Sequence, residues 1–333
     1  MSRAAVNIAD SGQTDLATDL QAVQERFAHL HTDRRDLSDV MARWKRFISD
    51  ESVERGAAFS ARAGDVMIAT HAKAGTTMMQ QIVFALRGGG VEFEEVSEVV
   101  PWLEMASDAG QDLQAAPVRA YKTHFGWSLV PKGDGVKHVC VVRDCHDVIV
   151  SMYHFLLNWF YLESEMSLAD FVLVLLYQRG TPWWSHVVGW LRAAEQHPDD
   201  VLVVFYEDLV EHRGAAVRRV AQFIGATDET AIANAIERSS FEYMKAHASQ
   251  FDEHCNRQRR DHVFGAVGDV GGKASKVRAG LTGKSAEQLG ELKNEIDAVL
   301  GVCLPREHPR AVATYDALRK DAYASQMNVF RPA

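Results

Sequence analysis

The chain is poor in the features that mark secreted, membrane-spanning and nucleic-acid-binding proteins. It has only four cysteines in 333 residues, Cys140, Cys145, Cys255 and Cys303, with no paired spacing. A disulfide framework or a zinc cage is therefore not expected, and a reducing compartment fits. Long hydrophobic runs are missing too: residues 171–177 form the longest near the middle, far short of the roughly 20 that a membrane span needs. Residues 1–20 are polar and carry acids, unlike a secretory signal. Positive charge is not in excess, since the net charge is −9, which argues against a general nucleic-acid binder. Internal repeats and low-complexity tracts are absent. The expectation is a cytoplasmic protein with neither a nucleic acid nor a membrane as partner.

What is present is ordinary for a globular protein: 47% hydrophobic and 24% charged residues, in a length that can bury a core without staples. Residues 1–60 look polar and helical, with 37–48 as one amphipathic stretch, and are read as a flanking segment. The main body, 61–333, opens with the apolar run 65–69, a turn, and Met79, Ile82, Val83 and Leu86 at helical spacing. Gly88–Gly90 should stop that helix. The pattern recurs. Residues 137–143 hold the β-branched run before Val148, Ile149, Met152, Phe155 and Leu156 on one helical face, and 201–206 precede Val217, Val220, Ala221 and Ile224. Residues 120–123 make a further short strand, and 164–197 read as helical with a break at Gly180–Pro182. Strands alternating with helices predict a single α/β domain with a central, mostly parallel sheet flanked by helices.

Three constellations carry chemistry. The segment Lys73-Ala74-Gly75-Thr76-Thr77 lies between a predicted strand and helix, where backbone N–H groups and the helix dipole hold anions. Gly75 allows a close approach, the threonines donate hydroxyls, and Lys73 adds charge. The lysine precedes the single glycine, unlike the order in nucleotide triphosphatases, and the same residues also fit an ordinary turn with a solvated lysine. His124, after Lys122 and Thr123 at the end of the short strand, would stand on the same edge, since ligands of open parallel sheets collect at the strands' carboxyl ends. It is a candidate general base, although most of the 14 histidines have no such role. Arg143 ends the next strand and Ser151 lies early in the following helix, a pairing suited to a phosphate monoester. Asp144 or Asp147 could cap that helix, and a plain ion pair of Arg143 with either aspartate is the alternative. A basic run from Arg257 to Lys284 is equally a solvated surface.

Taken together the segments resemble the cytosolic sulfotransferase family. Residues 71–78, His-Ala-Lys-Ala-Gly-Thr-Thr-Met, are similar to its Tyr-Pro-Lys-Ser-Gly-Thr-Thr-Trp loop. Lys122-Thr123-His124 matches its Lys-Thr-His. Arg143 through Phe155 matches its 3′-phosphate segment, including Asp147, Val148, Val150, Ser151, Tyr153 and His154. Tyr206-Glu207-Asp208-Leu209, Ser240 through Met244, and Arg278 through Gly283 follow in family order. The resemblance implies a P-loop-like strand–loop–helix and 3′-phosphoadenosine 5′-phosphosulfate as donor, with no metal. Lys73, Ala74, Gly75, Thr76 and Thr77 would hold the 5′-phosphosulfate. Arg143, Ser151, Arg278, Ala279 and Gly280 would lie at the 3′-phosphate, and Tyr206, Phe241 and Met78 at the adenine. His124 would take the acceptor's proton, Lys73 would neutralise the leaving oxygen, and Lys122 would hold sulfuryl oxygens. Met78 replaces the family's tryptophan, Ala72 and Cys145 replace prolines, and Ala279 replaces a lysine.

Where the family builds its acceptor pocket this chain has Trp102, Phe125, Trp127, Tyr153, Phe155, Trp159 and Tyr161. Trp102, Phe125 and Phe155 are the residues expected to touch a small-molecule acceptor. The family's C-terminal dimerisation motif is not recognisable, so monomer and homodimer both stay open. A magnesium-dependent kinase with a variant loop and a non-catalytic nucleotide binder are the rival readings. The kinase needs Ser or Thr directly after the loop lysine, where this chain has Ala74.

Overall fold

The computed structural model of the chain describes residues 13–31, 48–88, 92–159, 166–177, 182–264, 283 and 285–332. Four strands, β1 (Val66–Thr70), β2 (Ala120–Thr123), β3 (Lys137–Val142) and β4 (Val201–Phe205), form one parallel sheet in the order β2-β1-β3-β4. Val66 stands opposite Ala120 on one side and Lys137 on the other, and His138 stands opposite Val201. Every residue of β1, β2 and β4 is buried. Their near-continuous apolar character follows from a parallel sheet being covered on both faces.

Alternation along the strands feeds two cores. Met67, Ala69, Cys140, Val142, Val203 and Phe205 face the helices Cys145–Trp159, Leu168–Tyr177, Trp183–Gln196 and Leu292–Glu307. Val66, Ile68, Val139, Val141, Leu202 and Val204 face the helices Thr76–Leu86, Arg213–Ile224 and Glu229–Arg238. The predicted stripe Met79, Ile82, Val83 and Leu86 is fully interior. That helix ends at Leu86 with Gly88 at φ 81°, and Gly225 at φ 75° ends Arg213–Ile224, as turn chemistry demands. The predicted helical stretch 164–197 contains two helices, the second capped by Pro182. Apart from Ile48, the amphipathic stretch 37–48 lies outside the described residues.

Residues before the first strand pack onto this body. His31 and Glu295, both buried, meet at 2.9 Å, and Tyr177 donates its hydroxyl to the same carboxylate. The helix Asp50–Ala57 starts at Ser49, whose hydroxyl and N–H both reach Asp108. Among the described residues no helix is long and apolar enough to cross a membrane.

Because β1 is flanked by β2 and β3, the chain leaves β1 in one direction and later returns across it. The sheet therefore has its topological switch at the carboxyl end of β1, where open α/β sheets gather ligands.

Candidate active site

The four carboxyl ends deliver residues 71–75, His124, Arg143 and Tyr206 to one edge. After β1 the chain turns tightly, with the Ala74 N–H on the His71 carbonyl at 3.1 Å, Lys73 at φ 68° and Gly75 at φ 108°. A non-glycine residue in that region costs on the order of 1–3 kcal/mol, strain that clusters at ligand clamps. The helix Thr76–Leu86 begins immediately, so its first N–H groups lack intrahelical partners and point toward an anion site. Gly75 has a second reason to be glycine: a Cβ there would lie 2.5 Å from Tyr206 Cδ2. The close approach is made by a tyrosine ring as well as being open to a ligand.

His124 is joined to this loop. Its Nδ1 lies 2.9 Å from the Thr70 carbonyl, and Thr70 Oγ1 lies 2.6 Å from Thr76 Oγ1 at the helix start. A carbonyl only accepts, so Nδ1 carries the proton and Nε2 keeps its lone pair. Burial, and next the Lys122 ammonium, hold the imidazole well below its ordinary pKa, outweighing the Thr70 carbonyl and the Glu253 carboxylate. The ring is thus neutral near pH 7, the form a base needs.

Two carboxylates not anticipated from the sequence complete this end. Glu104 Oε1 accepts the His124 backbone N–H at 2.5 Å, and burial pushes its pKa up to about 7. Glu253, fully buried and held at φ 61°, forms an ion pair with Lys122. The Lys122 ammonium also sits 3.8 Å from the centre of the Trp102 ring, whose edge meets His124 at a centroid distance of 5.1 Å. The sequence marks neither glutamate, because each meets its partner through tertiary structure and lies at no strand end.

At the other end, Arg143 donates to the Lys73 carbonyl and to Asp147 Oδ2, both at 3.3 Å, and lies 4.4 Å from the centre of the Tyr206 ring. The ion pair weighed as an alternative is formed, and the arginine also braces the phosphate loop. Asp144 is the cap of the helix Cys145–Trp159, accepting from the N–H groups of His146 and Asp147. Asp147 instead reaches forward to the Gly283 N–H at 3.1 Å and the Ser285 hydroxyl at 2.5 Å. It thereby ties this helix to the segment following Arg278, Ala279 and Gly280, which lie outside the described residues. Ser151 is half-buried on the same helix. The Glu207-Asp208 pair is structural: Glu207 accepts from the Asp144 N–H and the Tyr315 hydroxyl, and Asp208 pairs with Arg319.

The predicted aromatics divide. Phe155 carries the Lys73 ammonium 4.2 Å above its ring, so Phe155 and Trp102 each hold one of the two site lysines. Phe125 is buried in the core. Trp127 packs against Trp190, His138 and His197, and the Tyr153 hydroxyl donates to the Met166 carbonyl. Tyr161 and the Trp159 side chain are outside the described residues. Met78 packs on a small cluster of Val96, Met244 and Phe251, which brings the loop helix against the segment that begins at the half-buried Phe241.

A parallel sheet with a tight loop at a helix N-terminus, a neutral half-buried histidine and two lysines at its carboxyl edge fits a group-transfer enzyme of the P-loop-like type. The chain belongs to the sulfotransferase family: residues 63–295 match the model of the sulfotransferase domain. It is 30% identical to sulfotransferase 1B1 of Canis lupus familiaris, over 74% of this chain and 83% of that protein. It is also 30% identical to a flavonol sulfotransferase-like protein of Flaveria bidentis, over 56% and 68%. Among solved structures, retinol dehydratase in complex with androsterone and the inactive cofactor PAP superposes with a TM-score of 0.61 at 22% identity, covering 76% of this chain and 85% of that one. The mouse sulfotransferase SULT7A1 complexed with PAP gives 0.58 at 22%, covering 76% and 88%. The protein is accordingly a sulfotransferase that takes its sulfuryl group from 3′-phosphoadenosine 5′-phosphosulfate.

Proposed function

We propose that the enzyme passes the sulfuryl group to a hydroxyl or amine of a small-molecule acceptor, with His124 as general base. The observation that carries this is the Nδ1 hydrogen bond of a half-buried, neutral His124 to the Thr70 carbonyl, which leaves Nε2 able to accept a proton at the edge shared with the loop at Lys73. The acceptor oxygen or nitrogen attacks sulfur in line and gives its proton to Nε2. The new bond to sulfur forms as the bond from sulfur to the 5′-phosphate oxygen breaks, and that oxygen keeps the electron pair. Lys73 neutralises the charge growing there, with Ala74, Gly75, Thr76 and Thr77 lining the phosphate. Such positioning and preorganised charge account for much of the acceleration in group transfers.

Lys122 would hold sulfuryl oxygens, and its pairing with Glu253 keeps the ammonium in place. Arg143, Ser151, Arg278, Ala279 and Gly280 would lie at the 3′-phosphate, and Tyr206, Met78 and Phe241 at the adenine. Trp102 and Phe155 support the acceptor reading because each already touches a lysine of the transfer site; Phe125 would back them. One relative is a flavonol sulfotransferase-like protein, and retinol dehydratase has been solved with retinol and with androsterone, which fits an apolar acceptor. Residues 61–333 would form the transferase domain and 1–60 a segment flanking it, with the chain acting in the cytoplasm. The test is a transfer assay with labelled donor against phenols, alcohols and amines, with and without chelator. Transfer without added magnesium is expected. Failure with every acceptor class, or strict magnesium dependence, would overturn the reading.

A further inference from the structure

Beside the transfer site, and distinct from it, lies a cluster that sulfuryl transfer does not use. Glu94, His254 and Cys255 bring one carboxylate oxygen, one imidazole nitrogen and one sulfur to within 4.8 Å of one another. The imidazole is oriented: His254 Nδ1 lies 2.6 Å from Asp252 Oδ1, so Nδ1 donates and Nε2 presents its lone pair. Nε2 stands 3.2 Å from Cys255 Sγ. In a tetrahedral zinc centre, with metal–nitrogen and metal–sulfur bonds of about 2.0 and 2.3 Å, two such atoms stand about 3.5 Å apart. A small opening of the pair therefore admits the ion.

The backbones bearing these groups are stapled together. Glu95 Oε2 accepts the N–H of Cys255 at 2.7 Å and of Asn256 at 3.3 Å, so the turn carrying Glu94 is fixed against the start of the helix His254–Phe264. The surroundings are also anionic. The carboxylates of Asp252, Glu94, Glu95 and Glu98 crowd the cluster, and Arg259, which pairs with Glu98, offsets only part of that charge. A thiol and an imidazole set among four carboxylates are poorly served by solvent alone and well served by a dication.

We propose that Glu94, His254 and Cys255 form a binding site for a zinc-class divalent cation, with Asp252 orienting the imidazole and one coordination position left open. Cysteine and imidazole select zinc or a similar borderline-soft ion over magnesium and calcium, which take oxygen ligands. The site has a route to the chemistry. Glu253 stands between Asp252 and His254, and its carboxylate pairs with Lys122. A bound cation would stiffen the turn that presents Glu253 to the catalytic edge.

The test is a titration of the reduced full-length chain with cobalt(II), followed by absorption. One equivalent should bind and give a thiolate-to-cobalt charge-transfer band, and zinc should displace it. Cys255→Ser should abolish the band, His254→Gln should weaken binding at least tenfold, and Asp252→Asn should weaken it by roughly 10–100-fold. Cys140, Cys145 and Cys303 are more deeply buried than Cys255 and stand outside the cluster, and should contribute nothing. Metal-free melting curves establish that each variant folds, and the unaltered chain is decisive by itself. Absence of the band overturns the proposal, as does a band that survives in Cys255→Ser. Binding without a thiolate signature, unchanged by His254→Gln, would mean a cation held by surface carboxylates only.

Discussion

The two halves of the sheet's carboxyl edge are built on different physical plans. At the ends of β1 and β2 Lys122, Glu104 and Glu253 are buried around a half-buried His124, and their interactions are made before any ligand arrives. His124 is bound to the Thr70 carbonyl and to Glu104, and Lys122 to Glu253. At the ends of β3 and β4 the cation is an arginine less deeply buried than Lys122: Arg143 is held by Asp147 one helical turn on and by the Lys73 carbonyl, and Asp147 in turn by residues 283 and 285. A buried charge network must be complete to be tolerated, because an unpaired member carries the full desolvation penalty. A partly buried arginine with two long contacts, both at 3.3 Å, can exchange partners at smaller cost. The first half is thus suited to chemistry and the second to capturing and releasing a nucleotide.

The sharpest way to break this contrast is to remove the base. His124→Asn should lower turnover by roughly 10²–10⁴-fold while leaving affinity for the product nucleotide nearly intact; comparing single-turnover rates with nucleotide binding separates the two. An unchanged rate would dismiss the base assignment. Arg143→Ala should act in the opposite sense. Charge-assisted hydrogen bonds are worth about 1.5–3 kcal/mol, so nucleotide affinity should fall on the order of 10–100-fold, with a smaller effect on the rate of the bound complex. Arg143→Lys should restore little, because the lysine cannot span the Lys73 carbonyl, Asp147 and a phosphate together.

This division also explains what could be read from the sequence. His124, Arg143, Tyr206 and the Lys73 loop directly follow strands, which announce themselves as short apolar runs at β1, β3 and β4 and more faintly at β2; once the sheet is parallel, their carboxyl ends share an edge. The fold was legible for the same reason, down to the glycines that end two helices. Glu253 was not, because its partner Lys122 lies 131 positions away and no periodicity links them. Glu104 lies in an irregular stretch of turns with no pattern to read. Gly75 was marked as permissive, but its contact with Tyr206 depends on β4 lying beside β3, a tertiary fact. The capping choice between Asp144 and Asp147 turned on a backbone path that either aspartate would satisfy in sequence.

A subtler variant probes the completeness of the buried half. Glu253→Gln keeps the shape but removes the charge beside Lys122. Glu104 and His124 both feel the charge of that ammonium. A buried lysine deprived of its carboxylate shifts downward by as much as 3–5 units, so the alkaline limb of the rate–pH profile should move toward neutrality. The acidic limb should also move down, because Glu253 raises the His124 pKa. Both limbs moving together, with turnover near pH 7 reduced about tenfold for a lysine shifted one unit below that pH, distinguishes loss of a positioning charge from simple misfolding. A profile of unchanged shape would mean that Glu253 is packing alone.

Glu104→Gln should have the smallest effect on turnover, since an amide oxygen can still accept the His124 N–H, and its signature is in stability. The folded-state pKa of Glu104 is raised from 4.5 to about 7. Between those values the unfolded chain has released the proton and the folded chain still holds it. The linked stability is full below about pH 4.5 and is lost as pH rises toward 7, a loss of about 3 kcal/mol when complete. His124 works in the opposite direction. Its folded-state pKa is depressed, so its contribution is present above the unfolded value near 6.5 and is lost as pH falls below it. In the unaltered protein these slopes oppose each other between about pH 5 and 6.5. In Glu104→Gln the histidine slope is no longer opposed by Glu104, and denaturant midpoints should rise more steeply than in the parent from pH 5 to about 6.5 and level off above it. Curves that stay parallel to the parent over that range would mean that Glu104 is ionised in the folded state and that water reaches the buried half of the edge.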